Sequence, residues 1–153
     1  MIVVDTNVLA ARNMEHEKST LAEQVDLCDP VWIVPRLWRY EFQNILAKAL
    51  WTRRMTTDMA VDIWRQVMKA MSDNEHEPSP ERIIEVSSRY RITGYDANFI
   101  ALAMERDVLC VTEDGELQAK FPAIAVSMED FIAQSRPPGV REARAPYGGR
   151  RRR

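Results

Sequence analysis

ITGYDANFIALAMERDVLCVTEDGEL, residues 92–117, reads as one supersecondary unit. Gly94 marks a loop, a helix opens at Tyr95 and Asp96, a buried strand runs from Val108 to Thr112, and a turn carries Asp114. An acid thus stands at each end of the unit. In parallel α/β folds ligands bind just outside the carboxyl ends of the strands, so Asp96 and Asp114 are placed to face one crevice.

Outward from this unit the same alternation repeats. Met1 to Val4 is a short apolar strand ending at Asp5-Thr6-Asn7, with a brief helical turn after it at Val8 to Ala11. Lys18 to Cys28 has Leu21, Val25 and Cys28 at helical spacing, and Asp29-Pro30 stops it. Val31 to Val34 is the next strand. After Pro35, the apolar residues Trp38, Phe42, Ile45, Leu46, Ala49 and Leu50 predict an amphipathic helix with Glu41 on or beside its apolar face. Thr56 or Thr57 caps a helix running to about Met71, and Ser72 to Pro78 is a polar break. Ser79-Pro80 then opens another helix, Ile124 to Val126 is a short strand, and Ser127 caps a last helix. The alternation predicts an α/β fold of three layers, α/β/α, around a central, mainly parallel sheet.

The chain has 153 residues, 46% of them hydrophobic, which suits one domain, expected over 1–135. The net charge of -2 is unevenly spread. Seven Arg and one Glu fall within 136–153, leaving 14 basic and 22 acidic residues and a charge of -8 for the rest. The expectation is an acidic domain followed by a basic, disordered tail. An acidic body repels nucleic acid unless cations or local basic patches intervene. No apolar run reaches the roughly 18 residues that span a bilayer, so a cytoplasmic protein without membrane contact is expected. Cys28 and Cys110 stand in apolar contexts and are expected to be small buried thiols.

Four acids recur at the same edge of the expected sheet. Asp5 ends a strand; taken alone it also reads as a cap for the following turn. Glu41 lies among Trp38, Phe42 and Ile45, where a carboxylate loses solvation unless a cation or donor meets it. Asp96 also reads as the cap of its own helix, and Asp114 as a solvated turn residue. Together the four cannot all stay ionised without compensation, and a hard divalent cation supplies it. The arrangement predicts a Mg²⁺ or Mn²⁺ site that polarises a phosphodiester and activates water.

Asp5-Thr6-Asn7, Tyr40-Glu41-x-x-Asn44, Tyr95-Asp96-Ala97 with Phe99 and Ala101-Leu102-Ala103, and Thr112-x-Asp114 resemble the motifs of PIN-domain nucleases. Their order and spacing are most similar to VapC-like toxins of toxin-antitoxin pairs, over about residues 1–133. The resemblance implies a metal-dependent endoribonuclease with Asp5, Glu41, Asp96 and Asp114 as catalytic metal ligands, and Thr6, Asn44 and Thr112 as donors supporting them. It also implies an RNA substrate, a VapB-type antitoxin as partner, and a homodimer. Glu113 and Glu116 flank Asp114 and compete for its role, and the basic tail is not part of the pattern.

Arg36 and Arg39, with Lys48, Arg53 and Arg54, are candidates for guiding RNA phosphates toward the acids. His16 and His76 lie in charged stretches and read as solvated. Trp38, Trp51 and Trp64 read mostly as core. Two other classes compete with the nuclease. One is a catalytically inactive RNA- or protein-binding module of the same fold. The other is a phosphatase of the haloacid dehalogenase type, which wants a second Asp where this chain has Asn7.

Overall fold

The computed structural model describes residues 1–135; the basic tail expected over 136–153 lies outside the described residues. The elements in order are β1 (Ile2–Val4), α1 (Thr6–Asn13), α2 (Ser19–Cys28), β2 (Trp32–Ile33), α3 (Trp38–Trp51) and α4 (Thr57–Met71). A single 3-10 turn (Ser72–Asn74) leads to α5 (Pro80–Tyr90), α6 (Gly94–Arg106), β3 (Cys110–Val111), α7 (Gly115–Lys120), β4 (Ala125–Val126) and α8 (Met128–Ser135). The four strands pair in the order β2-β1-β3-β4, every pair parallel, as the alternation predicts.

Strand residues alternate between the two faces and build two cores. Ile2, Val4, Trp32, Val34, Val111 and Val126 pack against apolar residues of α1, α2, α3, α4 and α8. Val3, Ile33, Cys110 and Ala125 pack against α5, α6 and α7. A sheet covered on both sides by helices is the three-layer α/β/α arrangement, and it explains why such short strands are apolar throughout. The first core is centred on aromatics: Trp38 meets Phe42 edge-on at 5.8 Å and Trp64 at 5.5 Å.

Local signals hold at several ends. Thr56 accepts the Met59 N–H to cap α4, and Ser79 accepts the Arg82 N–H to cap α5, with Pro80 at its first position. Other ends differ from the sequence reading. The brief turn after Asp5 is a helix of 8 residues. α6 begins at Gly94 and is capped by Thr93, whose hydroxyl accepts the Asp96 N–H, so Asp96 is the third residue of the helix and not its cap. The turn at Asp114 opens a further helix, α7, for which Asp114 is the cap through the N–H groups of Glu116 and Leu117.

Cys110 is buried as expected, but Cys28 is exposed. It occupies the last position of α2, beyond the buried Ala22 and Val25 that seat the helix, where the chain already turns away at Asp29. Trp51, at the end of α3, is likewise 75% exposed rather than core. Among the described residues no helix is long and apolar enough to cross a membrane.

Candidate active site

Parallel pairing brings the carboxyl ends of β1 and β3 side by side. Asp5 follows β1, and its backbone N–H donates to Val111 O at 3.0 Å, so the last residue of β3 fixes where Asp5 begins. Thr112 follows β3 and is fully buried. Its hydroxyl donates to Asp5 Oδ2 at 2.7 Å and accepts the Asp114 N–H at 3.1 Å. One buried hydroxyl therefore ties Asp5 to the Asp114 turn across the two central strands.

α1 and α3 start at the same edge and carry the next pair. Thr6, 2% exposed in the first turn of α1, donates its hydroxyl to Glu41 Oε2 in the first turn of α3. Asp96, in the first turn of α6, receives the Thr93 hydroxyl on Oδ2 at 2.6 Å. Asp5, Glu41 and Asp96 are half-buried, whereas Asp114 is exposed.

The electrostatics follow from this crowding. Burial pushes the Asp5 carboxyl above its ordinary value, and the charge of Asp96 adds to the push. The hydroxyl of Thr112 and the backbone N–H groups of Asn7 and Thr6 oppose it. Burial also raises Glu41, Thr6 opposes the rise, and the charges of Asp5 and Asp96 add to it. The three acids thus repel one another through a poorly solvated space.

Nearby acids outside the group are each neutralised. Glu113 is held by Lys18 on one oxygen and by the Met128 N–H on the other, so it anchors the start of α8. Glu116 pairs with Lys120 one turn along α7. Among the described residues no Lys or Arg forms an ion pair with Asp5, Glu41, Asp96 or Asp114.

The donor set suits a hard cation, although the acids do not yet enclose one. Among the described residues no three candidate ligands converge as a closed metal cluster. Only one oxygen of Glu41, Asp96 and Asp114 is engaged, by Thr6, Thr93 and the α7 N–H groups respectively. Glu41 Oε1, Asp96 Oδ1 and Asp114 Oδ2 remain as oxygen ligands of the kind Mg²⁺ and Mn²⁺ prefer.

The remaining sequence candidates fall less close to the acids. Asn44 is exposed one turn beyond Glu41 and makes no hydrogen bond to the acids among the described residues. Arg39 grips Glu75 with two nitrogens, at 2.5 and 2.7 Å. Arg36 is 65% exposed and only 3.8 Å from Glu75 and 4.0 Å from Glu77. His76 meets Arg106 at 2.8 Å.

Sequence reasoning missed Glu75. Its side chain is 8% exposed and accepts Trp38 Nε1–H at 2.8 Å as well as Arg39. Burial alone would raise its carboxyl, and Arg39, Trp38 and Arg36 more than reverse this, holding it below the ordinary range. It clamps the first turn of α3, the turn that carries Glu41. Within the polar break Ser72 to Pro78 it had no apolar neighbour to mark it as buried.

Compared with known proteins, residues 2–122 match the family model described as PIN domain. The crystal structure of PAE2754 from Pyrobaculum aerophilum is similar with a TM-score of 0.66 and 23% identity, covering 88% of this chain and 95% of that one. FitAcB from Neisseria gonorrhoeae is similar with a TM-score of 0.64 and 12% identity, covering 84% of this chain and 99% of that one. At these identities the likeness is one of fold. No curated protein matches the chain.

Proposed function

The chain belongs to the PIN domain family, and from that premise we propose that it is a Mg²⁺- or Mn²⁺-dependent endoribonuclease, the toxin of a VapBC-type pair. The observation that carries the reading is that the partly buried carboxyls of Asp5 and Glu41, with Asp96 beside them, are both pushed up by burial and by neighbouring acid charge, with no cationic side chain among the described residues to compensate. Asp5, Glu41, Asp96 and Asp114 lack a cationic side chain among the described residues, while Glu75, Glu113 and Glu116 each have one. Uncompensated carboxylates at the carboxyl edge of a parallel sheet favour a ligand that brings positive charge.

In this reading Asp5, Glu41, Asp96 and Asp114 hold the metal. When bound, the cation polarises a phosphodiester and lowers the pKa of water. The protein's own groups prepare the place. Thr112 fixes Asp5 Oδ2, Thr6 fixes Glu41 Oε2, and Thr93 fixes Asp96 Oδ2, so each carboxylate keeps one orientation before any ligand arrives. Asn44, one turn from Glu41, serves as a further donor, and Arg36 draws phosphates toward the edge. Leu46, Leu50, Trp64 and the exposed Val61 line an apolar groove, a surface suited to a VapB-type antitoxin segment. A homodimer and a reducing cytoplasmic setting complete the proposal, the latter supported by two free cysteines.

Incubation of the full chain with oligoribonucleotide in Mg²⁺ or Mn²⁺ tests the reading. Cleavage is expected with either cation, with loss in EDTA and in Asp96→Asn. A Mn²⁺-dependent rise in melting temperature should accompany it. Cleavage by Asp96→Asn at the wild-type rate, or the absence of any Mn²⁺ effect on melting, would leave the fold as a binding module without chemistry.

A further inference from the structure

An open cavity of about 690 Å³ shares Thr93 with the acid site, and the reading above gives it no occupant. It is lined by Arg36, Tyr40, Tyr95, Thr93 and Asn98 among others. One of these touches the site directly, and two are chain neighbours of its acids. Tyr40 precedes Glu41, Tyr95 precedes Asp96, and the Thr93 hydroxyl donates to Asp96 Oδ2. Tyr40 and Tyr95 are 69% and 66% exposed, so their rings are open to a ligand.

From this arrangement, and resting on the nuclease reading, we propose that the cavity is a nucleobase subsite. Tyr40 and Tyr95 are its stacking platforms, and an unpaired nucleotide seats its base there while its phosphate lies at the acids. Aromatic side chains stack on the face of any base, a face that a duplex keeps hidden between neighbouring pairs. The subsite therefore admits a single-stranded segment. Arg36, only loosely paired at 3.8 and 4.0 Å, is free to turn to a flanking phosphate. Asn98 spends its amide nitrogen on Gly94 O at 2.7 Å, which leaves its oxygen to accept from a base edge.

The test is binding of a short, unstructured, fluorescein-labelled oligoribonucleotide to the full chain. Anisotropy is read in the first seconds after mixing with Mg²⁺, ahead of turnover, and again in EDTA. An abasic oligomer of the same length is the control. Tyr40→Ala and Tyr95→Ala should each weaken binding of the base-bearing oligomer about tenfold, Tyr→Phe at either position should retain it, and the abasic oligomer should bind weakly and be indifferent to all four. Equal affinity for the two oligomers would overturn the proposal. So would alanine variants that bind as wild type does, which would leave the cavity to a protein segment. Cleavage that proceeds without any dependence on the tyrosines sinks the subsite alone. Tyrosine-dependent binding with no cleavage in either cation sinks the nuclease and keeps the subsite.

Discussion

Replacing Asp5 with Asn separates what the acid does for the fold from what it does for chemistry. As a helix cap Asn ranks with Asp, so the start of α1 is little changed. The Thr112 hydroxyl finds a carbonyl oxygen in place of a carboxylate, and the exchange of a charged for a neutral acceptor costs about 1 kcal/mol. The Asn7 N–H contact is already long at 3.4 Å, and its loss adds little. Against these stands the removal of a half-buried charge that repels Glu41 and Asp96, a gain of about 2–3 kcal/mol when the lower end of ion desolvation is taken. The net is a stabilisation of about 1–2 kcal/mol at neutral pH without divalent metal, or about 3–6 °C in melting temperature for a chain of this size.

The pH dependence gives the sign a second check. The folded Asp5 carboxyl sits above its ordinary value of 3.8. The Asp5 contribution to wild-type stability is therefore fully present below that value and is lost as pH rises through the folded pKa. The advantage of Asp5→Asn should be absent below the ordinary carboxyl value of 3.8 and grow as pH rises through the raised, folded pKa. Differential scanning calorimetry in EDTA at several pH values measures it. Metal-dependent RNA cleavage by the same protein should fall by at least about 100-fold. A variant that melts below wild type at neutral pH, or whose melting difference is the same in acid, would refute the reasoning.

Thr112→Val removes the hydroxyl that joins Asp5 to the Asp114 N–H; urea denaturation should show a loss of about 1–3 kcal/mol, and cleavage should fall as Asp5 loses its donor. Glu75→Gln should lower the melting temperature near neutral pH. Because Arg39 and Trp38 depress the Glu75 carboxyl, the stabilising contribution is present above its ordinary value of 4.5 and lost as pH falls through the folded pKa, so the two melting curves should converge in acid. Asp114→Asn should reduce Mn²⁺ affinity in a titration, whereas Glu113→Gln should leave that affinity intact and instead lower stability through the Lys18 and Met128 contacts.

Much of this was legible in the sequence where one physical rule dominates. The alternation of short apolar runs with helical stripes revealed the three layers, since only a sheet covered on both faces explains strands such as Ile2–Val4 that are buried throughout. The start at Ser79-Pro80 was readable to the residue, whereas Thr56-Thr57 left the choice between two neighbours, which the structure gives to Thr56. Nor was the start of α6 readable to the residue. Thr93 and Asp96 both favour the position, and the threonine takes it because the acid then completes a reciprocal pair with its hydroxyl. The six residues of α7 were too few to show periodicity after Asp114-Gly115. The grip of Glu75 on Arg39 depends on a parallel bridge between Val34 and Glu75, a long-range pairing that no local pattern announces.

The bond from Thr112 to Asp5 joins residues 107 apart in sequence, and this has a consequence for the life of the chain during synthesis. Asp5 and Glu41 leave the ribosome early, but the hydroxyl that orients Asp5 and the turn bearing Asp114 arrive only when most of the domain has been made. The packing of α1 against α3 needs only the first 51 residues; the β1–β3 pairing waits for the end. A nascent or truncated chain that stops short of β3 therefore carries Asp5, Glu41 and Asp96 without the strand that sets their geometry. The cell is exposed to the assembled acid cluster only as each molecule is finished.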